Sequence, residues 1–366
     1  MFEDTTIRQT VMVSVDADTI RLQLSNAFGG SDLPITAVTV ALPAEQKAGI
    51  SGIQSDTAQT VTFSGSESFI VPNGAVVFSD PIEFPVEARS IVSVSIYLEK
   101  GQTTNEITSH PGSRTTSWFL RGNHVAEGEL DGAASVAHWY FISAIEGSGP
   151  AAKTDNRGTI AIVGDSITDG RGSTTDGNDR WPDQLLARLQ NDTATASIAI
   201  LNQAAGGNRI LADGLGPNGL GRIDRDVLSH SGVRWAIIFI GVNDIGTTPS
   251  TTSSQTVIGD RIIQAYDQMI TRLHRHGIAV IGATITPMTG PGQTYGTPER
   301  EATRTRVNEW IRNGGRFDAV VDFDEAVRDP ERHERLLPEY DTGDYLHLNP
   351  KGYGAMAEAV DLTLFA

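Results

Sequence analysis

The chain has no cysteine among its 366 residues. This absence excludes disulfide bonds, catalysis by a thiolate and metal sites built on cysteine. Basic residues are also scarce, since 28 Lys and Arg stand against 45 Asp and Glu, for a formal net charge of −17. Such a charge opposes binding to nucleic-acid phosphates and to anionic membrane surfaces. We therefore expect no nucleic-acid partner and no membrane association.

Long apolar runs are missing as well. No stretch approaches the roughly 20 residues that a membrane-spanning helix needs. The start, MFEDTTIRQT, lacks the basic and apolar regions of a signal peptide, but a mature secreted form with an added Met1 has the same appearance. We expect a secreted protein, with a cytoplasmic location left open. The sequence does not indicate an oligomeric state.

The first part of the chain is dominated by short alternating runs. Apolar and polar residues alternate at 11–15, 20–24 and 92–98. The alternation is least regular at 11–15. Turn-forming clusters rich in Gly, Asn and Asp separate these runs. The pattern predicts an all-β, sandwich or jelly-roll-like domain over residues 1–150. A Gly- and Ala-rich linker is predicted at 147–154.

The pattern changes in residues 151–366. Apolar runs that fit buried strands recur near 159–165, 197–202, 235–241, 278–285 and 318–322. Helical segments lie between them, of which Arg261 to His276 is the clearest, because its apolar residues share one face and Gly277 follows. Alternating strands and helices predict an α/β domain whose parallel sheet is covered by helices on both sides.

Three of these strands end in residues suited to catalysis. Ser166 follows the first strand, where open α/β sheets bind ligands, so it is a candidate nucleophile or else a cap of the next helix. The second exit, residues 201–209, holds glycines whose N–H groups can approach a ligand, although an ordinary turn also fits. After the third, the Asn243 amide can donate to an oxyanion or form an Asx turn.

A carboxylate and an imidazole stand close together near the end of the chain. Asp344, three residues before His347, can accept from one ring nitrogen and leave the other free as a base. A surface turn with a helix-capping Asp is the alternative. Asn349-Pro350 then predicts the start of a helix. No pair of histidines has zinc-like spacing with a carboxylate, so we expect no metal.

Two further residues have less certain roles. Arg209 can contact a substrate or hold a loop by pairing with a carboxylate. His110, in the segment SHPGSR, belongs either to a loop that narrows the active site or to a solvated turn.

Four blocks, GDSIT, AAGGN, GVND and DYLH, occur in this order at the ends of predicted strands. Together with the flanking sequences RWPDQL and HLNPKGY, they make residues 155–366 resemble the SGNH hydrolases, also called the GDSL esterase/lipase family. The first block has Ile where the family name has Leu, which is a conservative change. The resemblance implies a three-layer, flavodoxin-like catalytic domain. The β-rich part is similar to the N-terminal regions of some larger members.

The resemblance implies a serine esterase that needs no cofactor. Ser166 is then the nucleophile, His347 the base and Asp344 the acid that orients it. The backbone N–H groups of Ser166 and Gly207 and the Asn243 side chain form the oxyanion hole. The residues expected to contact the substrate are Asp165, Arg209 and His110.

We expect a short-chain, acetyl ester substrate, either a small molecule or a polysaccharide. An extra β domain on an acidic chain fits a carbohydrate ester better than bulk lipid. A lysophospholipase or thioesterase is an alternative with the same machinery. Another is a glycan-binding protein with an inactive hydrolase domain, which the intact set of blocks argues against. The aromatic run 139–141 can stack on sugars, but it also fits a core strand or a seal between domains.

Overall fold

The computed structural model describes residues 1–149 and 157–366. These residues form two compact units. The first contains 1–149 and 175–178, and the second contains 157–174 and 179–366. Across these described ranges, no helix combines the length and the apolar composition needed to cross a bilayer.

The first unit consists of short strands. Their bounds are β1 (Thr5–Met12), β2 (Ala17–Ser25), β3 (Leu33–Ile35), β4 (Ala37–Ala41), β5 (Gln59–Thr60), β6 (Phe69–Val71), β7 (Val76–Phe78), β8 (Ile82–Val86), β9 (Ile91–Leu98), β10 (Ser109–His110), β11 (Ser117–Arg121), β12 (Ala134–Val136), β13 (Trp139–Tyr140) and β14 (Ile142–Ser148). A single turn of 3₁₀ helix spans Ser55–Thr57.

Antiparallel pairing joins these strands into sheets. One sheet has the order β12-β11-β1-β9-β4-β5, and a second pairs β2 with β14, β7 and β8. Apolar side chains of both sheets, such as Ile7 and Ile96 of the first and Leu22 of the second, share one buried core. Removing such a side chain from water contributes about 1.5–3 kcal/mol. The predicted all-β fold is thus confirmed.

Two boundaries of this unit differ from the prediction. The run at 11–15 covers only the end of β1, which begins at Thr5 because it pairs with β9 over its whole length. The predicted linker at 147–154 starts too early, since Gly147–Ser148 belong to β14 and pair with β2. Its remainder, from 150 onward, lies outside the described residues.

The aromatic run at 139–141 contributes to the core of the first unit. Tyr140 is 9% exposed and Phe141 is 1% exposed. The Tyr140 ring lies edge-on to Phe2 and Phe119, with centroids 5.2 and 5.3 Å away. Buried rings of this kind cannot stack on a sugar, so the core-strand interpretation holds for these two residues.

The second unit is built on a parallel sheet. Its strands are β15 (Gly158–Gly164), β16 (Ile198–Asn202), β17 (Val233–Phe239), β18 (Ala279–Ala283) and β19 (Ala319–Val321). Their spatial order is β16-β15-β17-β18-β19. This is the 2-1-3-4-5 order of flavodoxin-like folds, so the predicted fold class is confirmed. Residues 160–163 are fully buried, as a strand covered on both faces requires.

Helices connect the strands of this sheet. Their bounds are α1 (Ser166–Asp169), α2 (Trp181–Asn191), α3 (Gly219–Ile223), α4 (Val242–Thr247), α5 (Thr252–His274), α6 (Pro298–Asn313), α7 (Phe323–Val327) and α8 (Pro350–Glu358). A π-helical turn spans Asp224–Leu228 and a 3₁₀ turn spans Leu362–Phe365.

The start of α5 differs from the prediction, whereas the start of α8 agrees with it. α5 begins at Thr252 rather than near residue 261, after Thr251 caps it by accepting from the Ser254 N–H at 3.2 Å. The first turns carry mainly Ser, Thr and Gln, so they show no apolar face in the sequence. α8 begins after Asn349, whose side chain caps it as expected.

Candidate active site

The serine follows the first parallel strand. β15 ends at Gly164, and Ser166 is the first residue of α1. The Ser166 hydroxyl oxygen lies 2.8 Å from Nε2 of His347. Both residues are largely buried, with exposures of 9% and 4%. A hydroxyl in this position can transfer its proton to an unprotonated imidazole nitrogen.

The loop before α8 holds the imidazole by its other nitrogen. Asp344 Oδ2 lies 2.6 Å from His347 Nδ1. Asp344 Oδ1 accepts from the backbone N–H groups of Leu346 at 3.0 Å and His347 at 2.8 Å. Tyr345 has a φ of +60°, a left-handed conformation that is uncommon outside glycine. This tight turn brings the carboxylate back onto the ring three residues later.

The protonation of Asp344 decides which imidazole nitrogen is the base. Burial alone raises the pKa of Asp344, but the hydrogen bonds from the backbone and ring of His347 outweigh it, so the pKa lies below its usual value. Asp344 is therefore ionised at neutral pH and can only accept hydrogen bonds. In neutral His347 the proton lies on Nδ1, which leaves Nε2 free to accept from Ser166.

Two backbone N–H groups beside the serine are open to a ligand. The Ser166 N–H is the first of α1 and has no acceptor within the helix. Gly207 follows β16 with a φ of +72°, a conformation that favours glycine. Among the described residues, neither N–H has a hydrogen-bond acceptor. Both can therefore donate to a substrate oxygen.

Asn243 supplies a side-chain amide at the end of the third strand. Gly241, with a φ of +136°, turns the chain from β17 into α4, where Asn243 lies buried with 5% exposure. Its Nδ2 donates to the backbone carbonyl of Asn208 at 3.0 Å. An amide nitrogen carries two protons, so one remains for an oxyanion.

Buried carboxylates join the three strand-end loops. Asp169, at the end of α1, accepts from the Gly206 N–H at 3.0 Å. Asp244 accepts from the backbone N–H groups of Ile210 at 2.8 Å and Leu211 at 3.0 Å. The second loop is thereby bound to both the first and the third.

Arg222 reinforces the same junction, and the sequence patterns do not predict its role. It is 4% exposed. Its guanidinium donates to the Gly164 carbonyl at 2.9 Å, the Asn208 side chain at 3.1 Å and the Asp226 carboxylate at 2.6 Å. It also donates to the carbonyl of Gln203. Nothing local in the sequence distinguishes this arginine from a surface one.

The three expected substrate contacts lie in different settings. Asp165 is 2% exposed and caps α1 by accepting from the Ile167 N–H at 3.1 Å. Arg209 holds a loop, but through the backbone carbonyl of Asp213 rather than through a carboxylate. His110 lies in β10 of the first unit, opposite Trp139, in a strand rather than a solvated turn.

Contacts from the loop after β18 also escape sequence reasoning. The Tyr295 hydroxyl donates to Oδ1 of Asn243 at 3.1 Å. The Gln293 side chain donates to the backbone carbonyl of Asp344 at 2.6 Å. The surrounding sequence, TGPGQTYGTP, predicts only turns. No local signal shows that these two side chains face the candidate active site.

The remaining histidines do not assemble a metal site. His274, at the end of α5, lies 2.8 Å from Asp318 through Nε2. The same carboxylate oxygen accepts from the Val280 N–H at 2.6 Å. In the part of the chain that the structure describes, no group of three or more His, Asp or Glu side chains is placed to share a metal ion.

Several solved structures are similar to the chain. One is a GDSL-like lipase from Bacteroides thetaiotaomicron, at 16% identity over 57% of this chain and 88% of the other, with a TM-score of 0.40. Another is a catalytic mutant of an acetylxylan esterase from Geobacillus stearothermophilus, at 20% identity over 58% and 96%, with a TM-score of 0.43. A third is an α/β hydrolase from the metagenome of Lake Arreo, at 18% identity over 57% and 94%, with a TM-score of 0.42.

A family comparison gives a more specific result. No curated protein sequence is significantly similar to the chain. The profile of the GDSL-like lipase/acylhydrolase family, however, matches residues 162–355. This match covers more than half of the chain and includes Ser166, Gly207, Asn243, Asp344 and His347. The chain therefore belongs to the GDSL-like lipase/acylhydrolase family.

Proposed function

We propose that the protein is a serine esterase that removes short acyl groups, acetyl above all, from carbohydrate esters. The observation that carries the proposal is the chain of hydrogen bonds from Ser166 through His347 to Asp344, with distances of 2.8 and 2.6 Å. These hydrogen-bonded side chains lie beside the backbone N–H groups of Ser166 and Gly207, which have no acceptor among the described residues. A nucleophile, a base and oxyanion donors are the groups that acyl transfer needs.

In the first half of the reaction, the Ser166 oxygen attacks the ester carbonyl carbon. Nε2 of His347 takes the hydroxyl proton, and Asp344 stabilises the imidazolium that forms. The carbonyl oxygen becomes an oxyanion, which accepts from the backbone N–H groups of Ser166 and Gly207 and from the Asn243 amide. Collapse of this intermediate breaks the bond to the alcohol, which leaves with the proton from His347.

In the second half, water replaces the alcohol. His347, neutral again, takes a proton from water while the water oxygen attacks the acyl carbon bound to Ser166. The same donors bind the second oxyanion. Its collapse breaks the bond to the Ser166 oxygen, which recovers a proton from His347 as the carboxylic acid leaves. No redox step and no external cofactor enters this sequence.

The preference for a carbohydrate ester rests on charge. A net charge of −17 disfavours residence at an anionic lipid surface, where long-chain lipid esters are found. A soluble acetylated sugar or an uncharged acetylated polysaccharide imposes no such cost, because it carries no dense negative charge.

One observation favours a second candidate, a lysophospholipase- or thioesterase-type acyl hydrolase. Leu215 is 70% exposed. Its Cδ1 lies only 2.5 Å from where a Cβ at position 207 would stand, so the side chain packs against the Cα of Gly207. An acyl chain bound at the oxyanion position would gain about 0.8 kcal/mol for each CH₂ buried against such apolar groups.

A substrate panel separates the two candidates. The panel contains p-nitrophenyl esters of C2 to C12 acids, glucose pentaacetate, acetylated xylan and acetylated pectin. The proposal predicts kcat/KM highest for C2 and acetate release from at least one carbohydrate. A value that rises with chain length, and that falls selectively for long chains in Leu215→Ser, would favour the second candidate.

A further inference from the structure

The loop between β18 and α6 contacts both parts of the candidate active site. Its residues 290–296 lie outside the four sequence blocks. Tyr295 contacts the amide of Asn243, and Gln293 contacts the loop of Asp344. The loop therefore connects the oxyanion amide with the turn that carries the acid and the base.

The Asn208 carbonyl determines which way the Asn243 amide faces, and the Tyr295 hydroxyl holds the other end of the amide. The Asn208 carbonyl can only accept, so the atom of Asn243 that lies 3.0 Å from it must be the NH₂ nitrogen. The other end of the amide is then the oxygen, which can only accept, so the Tyr295 hydroxyl at 3.1 Å must donate to it. Two bonds at opposite ends hold the amide against a flip and against rotation.

The shape of α4 keeps the Tyr295 ring in place. A Cβ at Gly246, the next-to-last residue of this helix, would lie 2.2 Å from the Tyr295 ring. The absence of a side chain at Gly246 therefore has a packing role, because it leaves the space that the ring occupies.

The same loop reaches the acid-base side of the site. Gln293 donates to the Asp344 carbonyl at 2.6 Å, and its own side-chain oxygen accepts from the Tyr295 N–H at 3.1 Å. A Cβ at Gly290 would lie 2.0 Å from the Tyr345 ring, so this residue also packs closely on the turn between Asp344 and His347. One short segment is thus bonded to the base-orienting turn and to the oxyanion amide.

We propose that Tyr295 is a positioning residue that presents the second Asn243 N–H proton to the oxyanion, and that residues 290–296 couple this donor to the Asp344 turn. The inference rests on the proposed function, because it assigns the Asn243 amide to the oxyanion. Tyr295 itself does not touch the reacting atoms. Its effect is on kcat, since the charge that Asn243 meets develops in the transition state.

The test is a double-mutant cycle on purified protein with p-nitrophenyl acetate. Tyr295→Phe removes one oxygen and keeps the ring. We expect kcat to fall roughly 2- to 10-fold, the scale of one hydrogen bond, with KM nearly unchanged. In the Asn243→Ala background the same substitution should have no further effect, because the group that it orients is gone.

Two more variants test the rest of the inference. Gly246→Ala leaves the Tyr295 hydroxyl intact but displaces the ring, and it should lower kcat as Tyr295→Phe does. When Gln293→Ala is combined with Tyr295→Phe, kcat should fall by less than the product of the two single-variant fold-losses in kcat, because both residues act through one loop. Tyr97→Phe is the matched control. It removes a phenol hydrogen bond of 2.9 Å to Asp4 in the first unit, and it should leave kcat unchanged.

The outcomes separate this inference from the proposed function. If Asn243→Ala is impaired but Tyr295→Phe has wild-type kcat, or loses the same factor in both backgrounds, the positioning role is wrong and the proposed function stands. If the fold-loss in kcat of the Gln293→Ala, Tyr295→Phe double variant equals the product of the single losses, the coupling through residues 290–296 is wrong. If Asn243→Ala keeps wild-type kcat, the oxyanion role of Asn243 fails, and this inference fails with it.

Discussion

Asp165, immediately before the candidate nucleophile, gives a prediction about stability and pH. Its carboxyl group is 2% exposed and accepts from the Ile167 N–H at 3.1 Å. Burial raises the pKa of Asp165 to about 7, against the lowering effect of the Ile167 N–H. The nearby carboxyl group of Asp244 raises it further, and Arg222 opposes this. We predict that Asp165→Asn stabilises the protein increasingly as the pH rises.

The sign follows from proton binding. The pKa of Asp165 is higher in the folded protein than its ordinary value of 3.8, so between pH 4 and 7 the folded state binds more protons than the unfolded state. The free energy of unfolding therefore falls as pH rises through this range. A rise of about three pKa units at 1.36 kcal/mol each corresponds to about 4 kcal/mol. Asn carries no charge, and its carbonyl oxygen can keep the cap on Ile167.

The assay is urea unfolding followed by tryptophan fluorescence at pH 5, 6, 7 and 8. The free energy of unfolding of Asp165→Asn minus that of wild type should increase along this series. Asp322→Asn is the control. Burial raises the pKa of Asp322, but the hydrogen bonds from Arg312, the Glu325 N–H and Thr284 together outweigh burial and lower it below 3.8. The destabilisation in that variant should therefore stay nearly constant from pH 5 to 8 and shrink only below about pH 4.

A difference between wild type and Asp165→Asn that stays constant from pH 5 to 8 would refute this reasoning. A difference that shrinks toward high pH would do so as well. The same variant also tests the role of the side chain. A cap predicts that KM for p-nitrophenyl acetate is unchanged, whereas a substrate contact predicts that KM rises.

Five other substitutions test the site. Ser166→Ala and His347→Ala should each lower kcat by on the order of 10⁶-fold in folded protein, and more than about a tenth of wild-type kcat in either would contradict their roles. Asp344→Asn should be milder than Ser166→Ala in the same assay, and wild-type kcat would exclude Asp344 as the orienting acid. Asn243→Ala should lower kcat roughly 10²- to 10³-fold with little change in KM, whereas a large KM rise alone would indicate ground-state binding. Arg222→Met should lower the free energy of unfolding by about 1–3 kcal/mol, because it removes the buried hydrogen bonds to Gly164 and Asn208 while Asp226 keeps its ion pair with Arg225, and a wild-type urea midpoint would contradict this.

The strands of the second unit are predictable because the composition of each segment by itself indicates a buried strand. Residues 160–163 are apolar and rich in β-branched side chains, as a strand buried on both faces must be. Parallel strands place their carboxyl ends at one edge. The placement of Ser166, the glycines of 201–209 and Asn243 at one edge of the sheet therefore follows from the strand ends, whereas their catalytic roles follow from the family resemblance. The spacing of Asp344 and His347 predicts their contact because a turn of four residues can close it.

Contacts made across long sequence separations are not predictable in the same way. Tyr295 lies in a stretch of Gly, Pro and Thr whose local pattern predicts turns and nothing about direction. Arg222 is recognised only by its burial among carbonyl groups of distant segments. β1 extends back to Thr5 because β9 pairs with it, and no alternation in residues 5–10 indicates this. In each case a tertiary partner decides the structure.

The central claim is that Ser166 forms the acyl-enzyme, and covalent labelling tests it most directly. The purified protein is treated with a fluorophosphonate ester, which reacts with activated serine hydroxyls, and the adduct is located by peptide mass spectrometry. The rate of p-nitrophenyl acetate hydrolysis is measured in the same sample at the same time points. The account predicts one adduct on Ser166, appearing in step with the loss of activity and absent in His347→Ala. An adduct on another residue that accompanies inactivation, or full activity with Ser166 modified, would contradict it.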